Sequence, residues 1–259
     1  MRILETVAVA FGMYSALPVP RVKWEPDNMR FALCAFPLVG ALCALAWWGW
    51  TRLCAVLALP ALLRGAVLCV LPALVTGGIH LDGYADTCDA LASHAPPARR
   101  QEILRDPRCG AFAVIRLCVY YVSYLALCCA WEPTAAALRC AGLGFVLSRA
   151  LSGLSLTVLP VAEQSSLARS FACAADKKRA GLSLAAAALL CLAGLLLCGG
   201  ARVFPVSVCA LAAVAARYVY AVRREFGGVS GDLAGWFLVK TEFWLLAAGV
   251  AAQLWERRL

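Results

Sequence analysis

An all-α, multi-pass transmembrane bundle of about seven spans is predicted by three observations. Of the 259 residues 63% are hydrophobic, only 15% are charged, and apolar runs of near-spanning length recur along the chain. Soluble domains carry about 45–50% apolar and about 25% charged residues. Here mean hydropathy is +0.79, and the excess lies in runs close to the roughly 20 residues that cross a bilayer rather than in one large core. Residues 1–259 therefore read as a single integral membrane domain.

Taken in order, the first element is an apolar, interfacial helix over 3–16. Glu5 interrupts its apolar run and no small-residue cleavage site follows, so the N-terminus is expected to stay on the mature protein. The spans are predicted at 31–52, 58–78, 110–131, 135–159, 180–199, 203–221 and 236–254. Short loop helices are expected between them, including a polar one that begins near Arg99 and ends at Pro107.

Four larger polar stretches, 18–30, 79–109, 160–179 and 222–235, alternate with short connections at 53–57, 132–134 and 200–202. The larger ones carry Arg21, Lys23, Arg30, Arg99, Arg100, Arg105, Arg108, Arg169, Lys177, Lys178, Arg179, Arg223 and Arg224. The positive-inside rule places them in the cytoplasm. Arg257 and Arg258 at the tail run mildly against an outside C-terminus.

The net charge of +9 does not point to nucleic acid, because Lys and Arg are dispersed between apolar segments with no RNA- or DNA-binding motif. Membrane orientation and phosphate binding account for it. Ten of the fourteen cysteines fall in apolar runs, no CxxC pair occurs, and only His80 and His94 are available as imidazole partners. Most are expected to be reduced, buried thiols rather than metal ligands.

The most informative stretch is Gly77-Gly78-Ile79-His80-Leu81-Asp82-Gly83-Tyr84-Ala85-Asp86-Thr87-Cys88-Asp89. In a helix, Asp82, Asp86 and Asp89 stand at i, i+4 and i+7 and share one face. Such a face is either a solvated loop surface or a site where a cation relieves the repulsion. Hard carboxylate oxygens beside a phosphate suit Mg²⁺, and three of only 15 acidic residues are placed here. His80 projects to the far side of that helix unless the glycines bend the chain. Arg105 and Arg108, in Arg105-Asp106-Pro107-Arg108, serve both the positive-inside pattern and neutralisation of a diphosphate.

A third cluster, Gly227-Gly228-Val229-Ser230-Gly231-Asp232, repeats the spacing of Gly77-Gly78 to Asp82. Glycines allow close approach to phosphate oxygens, and Asp232 supplies another ligand or orients a hydroxyl. The repeat points to one shared site. Inside the spans, Arg149 and Glu242 are costly enough in lipid, about 2.5–3.5 kcal/mol each, to be expected to pair or line a polar site; Lys240 is close enough to the surface to snorkel.

Together these blocks resemble the cobalamin (5'-phosphate) synthase family over nearly the whole chain. Weaker matches are Leu17-Pro18-Val19-Pro20, Phe36-Pro37-Leu38-Val39-Gly40 and Ser148-Arg149. Ala90 and Ala113 stand where the family usually has glycine. The resemblance implies a Mg²⁺-dependent phosphotransferase that joins adenosylcobinamide-GDP to α-ribazole or α-ribazole 5'-phosphate and releases GMP. On that reading Asp82, Asp86 and Asp89 hold Mg²⁺, and Asp89 or Asp232 takes the attacking hydroxyl's proton. His80, Arg105, Arg108, Arg149, Gly227, Gly228 and Glu242 then bind substrate. Membrane lipid is an expected partner, nucleic acid is not, and homo-oligomerisation is left open.

Two other classes remain as alternatives. A phospholipid-type alcohol phosphotransferase also uses spaced aspartates, and Asp82-Gly83 followed by Ala85 is similar to the start of its motif, but Asp86 replaces the expected arginine. A transporter would show repeated halves and a midplane site, whereas here the acids gather at span ends.

The orientation makes a direct prediction at Cys173, in the basic stretch 160–179. A variant retaining only that cysteine should resist an impermeant thiol reagent in intact spheroplasts and react once the membrane is opened. Labelling before opening would invert the topology.

Overall fold

The computed structural model describes residues 2–20, 29–162 and 176–258; Arg21, Lys23, Arg169 and Cys173 lie outside them. The N-terminal helix α1 (Arg2–Tyr14) packs Val9 and Ala10 against Ala32 and Ala35. A 3-10 turn, Ala32–Ala35, then opens onto α2 (Phe36–Val56), which carries Pro37 in its first turn, where the missing N–H has no intrahelical partner to lose.

Prolines and glycines set most of the remaining boundaries. Helix α3 (Ala61–Thr76) starts after extended Pro60 and ends at left-handed Gly77. Next come α4 (Ile79–Ala92) and α5 (Pro97–Ile103). The polar helix α5 therefore begins at a proline and closes before Pro107, earlier than expected. Four long helices complete the chain: α6 (Ala111–Ala130), α7 (Ala135–Val158), α8 (Lys177–Tyr220) and α9 (Gly231–Glu256). Thr134, Asp176 and Ser230 cap α7, α8 and α9, each side chain accepting from a backbone N–H three residues on at 3.1–3.2 Å.

As a straight rod α8 would be about 66 Å long, roughly twice the hydrocarbon thickness. It is instead a hairpin, broken at Gly200, whose φ of 61° and ψ of −163° are not helical. A Cβ at Gly181 would meet Thr157 and one at Gly194 would meet Leu143, so the first limb, 177–199, runs antiparallel to α7. Tyr218 stacks on Phe237 at 4.3 Å and Arg202 pairs with Glu256 at 3.3 Å, so the second limb, 201–220, runs antiparallel to α9. By length and composition five helices qualify as spans, or six with the bent pair α3 and α4 counted together. Counting both limbs of α8 gives seven crossings, in agreement with the sequence. The last begins at Gly231, five residues earlier than predicted.

Close crossings fall at small residues, as expected where packing rather than water drives helix association. A Cβ on Gly40 would overlap the backbone at Phe145, and one on Gly65 would sit 2.9 Å from the Cys129 nitrogen. Trp47, which donates to the Leu68 carbonyl at 3.1 Å, and Phe145 join α2, α3 and α7.

Arg149 and Glu242 are set deep in this core. Their side chains are 1% and 5% exposed, and Arg149 Nη1 donates to Glu242 Oε1. The same nitrogen donates to the Phe145 carbonyl at 3.1 Å and to Ser148 Oγ at 3.0 Å, while Nη2 reaches Cys43 Sγ at 3.6 Å. Removing one partner strands a buried charge and costs about 3–5 kcal/mol. Arg149→Met should therefore lower the unfolding free energy in detergent by about that amount. The double variant Arg149→Met/Glu242→Leu should recover most of it, as measured by denaturant titration.

Candidate active site

Two consecutive left-handed glycines, Gly77 at φ 65° and Gly78 at φ 79°, create the site. No residue with a Cβ holds two such φ values in succession without strain. They turn α4 away from α3 by 96°. The bend sets α4 across the bundle at one end, the site end, where it meets the start of α9. His80, in the first turn of α4 after the bend, lines the cavity together with Asp82.

Helix α4 then packs backbone to backbone on the start of α9. A Cβ added at Gly83 would lie 2.7 Å from Asp232 Cα, and one at Gly235 would lie 3.1 Å from the His80 carbonyl oxygen. This apposition places Asp232 against the acidic face of α4. The Asp86 carboxyl is pushed up to about 6, first by burial and then by the carboxylates of Asp82, Asp232 and Asp89. Asp89 sits directly over Gly110, where a Cβ would collide with its carboxylate, and its Oδ1 accepts from the Ala113 N–H at 3.3 Å. Ala90 and Ala113 are both fully buried, so each methyl is accommodated.

A cavity of about 450 Å³ opens at this junction, lined among others by His80, Asp82, Arg105, Gly228 and Asp232. His80 is buried against Tyr14 and Phe36. Burial, reinforced by the Arg149 charge, pushes its imidazole down to about 3, so it is neutral at pH 7. Its Nε2 has no hydrogen-bond partner, which leaves one polar atom available to a ligand.

The second glycine pair works differently from the first. Gly227 is left-handed at φ 70°, but Gly228 is needed for proximity, since a Cβ there would lie 2.5 Å from the Ala162 nitrogen. Their segment forms the bridge Val161–Val229, with the Val229 N–H donating to the Pro160 carbonyl at 2.8 Å. Of the expected residues, Asp86, Asp89 and Gly227 adjoin the cavity without lining it, and three others stand elsewhere. Arg108 is exposed and chelated by Asp106, at 2.8 Å from Nε and 2.6 Å from Nη2. Arg149 and Glu242 answer each other's charge in the core, and Glu242 lines a different cavity, of about 200 Å³, with Trp131 and Gln253 at the far end.

Sequence reasoning missed Gln101 and Ser152. Gln101 Nε2 donates to the Phe226 carbonyl at 2.5 Å, tying α5 to the glycine segment, and Arg100 meets Glu225 at 3.5 Å alongside. Ser152 Oγ donates to the Ala234 carbonyl at 2.9 Å. Neither residue belongs to a spaced motif; the only signal was Ser152 one turn after Arg149. Among the described residues no group of three or more His, Cys, Asp or Glu is arranged to hold a metal ion by itself. A cation here would complete its shell with water and substrate oxygens.

Fold and site together define a multi-pass helical membrane protein with a carboxylate-lined cavity at one end of its bundle. Residues 6–250 match the family described as cobalamin-5-phosphate synthase, and the chain belongs to that family. It is 37% identical over 256 residues to the adenosylcobinamide-GDP ribazoletransferase of Lachnoclostridium phytofermentans, covering 99% of this chain and 96% of that one. Proteins of the same name from Pseudomonas putida and Geobacillus kaustophilus are 34% and 30% identical. The matches cover 88% and 93% of this chain, and 91% and 96% of theirs. No solved structure matches the chain.

The contact of Gly83 with Asp232 can be tested by volume. Gly83→Val must push α4 off α9 and should destabilise the protein by about 1–3 kcal/mol in detergent unfolding. Gly49→Val, where an added Cβ meets nothing within 4 Å, should be close to neutral.

Proposed function

We propose that the acid-lined cavity joins adenosylcobinamide-GDP to α-ribazole or its 5'-phosphate and releases GMP, making the chain a transferase of cobalamin synthesis. The observation that carries this reading is the facing of Asp232, from α9, with Asp82, from α4, in one cavity beside Arg105 and His80, with Asp86 close enough to feel both charges. The family match over 6–250 favours it over a phospholipid-type phosphotransferase or a transporter.

The residues suit phosphoryl transfer, which depends on positioning and charge neutralisation rather than on covalent chemistry by the protein. The ribose hydroxyl attacks the phosphorus linked to cobinamide, the new O–P bond forms, and the P–O bond to GMP breaks. Asp232 lines the cavity from its own helix, which supports it over Asp89 as the group that takes the hydroxyl proton. Arg105 offsets diphosphate charge, and the partnerless Nε2 of neutral His80 offers one hydrogen bond to a substrate oxygen or hydroxyl. A cavity of about 450 Å³ accepts the reacting phosphates and their neighbours, while the corrinoid macrocycle stays outside.

Carboxylate oxygens are the hard ligands Mg²⁺ takes, and it needs only one or two of them when water and phosphate complete its shell; the charges of Asp82, Asp232 and Asp89 all reach Asp86. Asp82 and Asp86, with Asp89 behind them, would hold the ion, leaving positions for water and phosphate as Mg²⁺ prefers. When bound, it supplies Lewis-acid polarisation and neutralises the diphosphate. The site end also carries Arg99, Arg100, Arg105, Arg108, Arg223 and Arg224, which supports a cytoplasmic face on the inner membrane, where a nucleotide substrate is available.

Asp86→Asn keeps size and removes the charge. GMP release from purified protein at limiting Mg²⁺ should fall at least about a hundredfold, roughly 2.7 kcal/mol of barrier, with insertion and purification unaffected. Glu102→Gln, which removes only a surface pair with Arg99, should be mild. Near-normal turnover by the separate Asn variants at Asp82, Asp86 and Asp89 would sink the metal assignment.

A further inference from the structure

The face of α4 opposite its acids borders a second and larger recess. Tyr84 and Cys88 help to line a groove of about 1000 Å³ that also involves α6, the second limb of α8 and α9, and it shares no lining residue with the acid cavity. Three cations enter it from three helices: Arg116 on α6, Arg217 on α8 and Lys240 on α9. The Lys240 ammonium and the Arg217 guanidinium each lie 5.7 Å from the ring of the same residue, Trp236, and the Arg116 charge reaches Lys240 as well. Arg217 Nη1 is answered by Glu225 at 2.7 Å. Among the described residues neither Arg116 nor Lys240 makes an ion pair.

These charges stand inside spans. Arg116 is five residues into α6 and Lys240 nine into α9, or about 8 and 14 Å along their axes. Uncompensated cations at that level are expensive in hydrocarbon. Below Lys240 the groove continues to Ala251, about 16 Å along α9, over apolar and aromatic side chains such as Trp244 and Ala248. A compact anion would occupy only the charged end. An occupant that fills the whole groove needs an anionic group at one end and a chain comparable in length to one leaflet of the hydrocarbon core, about 15 Å.

We propose that this groove binds one anionic phospholipid, with its phosphate among Arg116, Lys240 and Arg217 and an acyl chain along Trp244 and Ala248. The lipid supplies the negative charge that Arg116 and Lys240 do not find among the described residues, and it seals the junction of α4 with α6 and α9 behind the acid cavity. The assignment does not depend on the reaction proposed for that cavity.

Protein reconstituted in nanodiscs of equimolar phosphatidylglycerol and phosphatidylcholine, then released for native mass spectrometry, tests the site. The wild type should retain phosphatidylglycerol over phosphatidylcholine by about tenfold. Arg116→Gln/Lys240→Gln should reduce that preference to about twofold or less, whereas Arg116→Lys/Lys240→Arg should keep it. Arg52→Gln, which removes an exposed charge outside the groove, should leave it unchanged. Should the Gln variant fail to purify, the wild-type competition still decides. Equal retention of both lipids would overturn the proposal, as would an undiminished preference in the Gln variant. Displacement of the lipid by adenosylcobinamide-GDP would assign the groove to that substrate and also overturn it.

Discussion

The bend at Gly77-Gly78 is the constraint on which the functional end of the molecule depends. A helix of α4's composition, with acids at i, i+4 and i+7, cannot continue down through lipid as an extension of α3. Two left-handed residues in succession turn it by 96°, so the acids lie at the bundle end. The bend fixes orientation as well as depth. Gly83 can then touch the Asp232 backbone, and that contact converts a row of three aspartates on one helix into a site made by two. Without it Asp232 would be an ordinary first-turn acid, stabilised by the helix dipole of α9.

Much of the rest of the bundle keeps that junction in place. The Arg149–Glu242 pair links α7 to α9 in the core, and one turn closer to the site Ser152 bonds the Ala234 carbonyl on the same two helices. From the loop side, Gln101 and Arg100 hold the segment that leads into Asp232. The second limb of α8 reaches the same segment through Arg217 and Glu225. The start of α9 is thus held from the core, from the loop layer and from the neighbouring hairpin, which suits a carboxylate that must keep its place among three others.

How far the sequence could be read follows from which signals are local. Helix existence and order came from apolar run length, as did the short connection at 200–202, where the chain breaks at Gly200. The Asp82, Asp86, Asp89 face followed from helical spacing alone, and Asp232 from the repeated glycine-to-aspartate interval. What spacing could not provide was the partner of each charge. Arg149 and Glu242 looked like site residues because both are costly in lipid, yet the cheapest solution to two such costs is each other, and 93 residues of separation hide that from any local pattern. Arg108 was equally ambiguous: Asp106, two residues away, chelates it. Gln101 left no mark because one amide on a polar helix has no pattern to break. The early start of α9 was hidden by Gly231 and Asp232, which read as loop chemistry but here form a capped first turn behind Ser230.

The two faces of α4 show how a short helix can serve two media. On one face Asp82 lines the cavity, where repulsion among neighbouring acids is tolerable only with water, cation or arginine nearby. Tyr84 and Cys88 point the other way, toward the apolar groove and its cations. A site for a charged reaction at the edge of a bilayer has to keep lipid from the reacting phosphates while excluding bulk water from them. In this chain Tyr84 packs on Tyr120 at 5.5 Å, which in turn stacks on Tyr124 at 5.3 Å, tying the back of α4 to α6. The first turn of α6 also holds Asp89 through the Ala113 N–H. The same helix therefore packs α4 and fixes one of its carboxylates, and a displacement of α6 would loosen the packing and misplace Asp89 together.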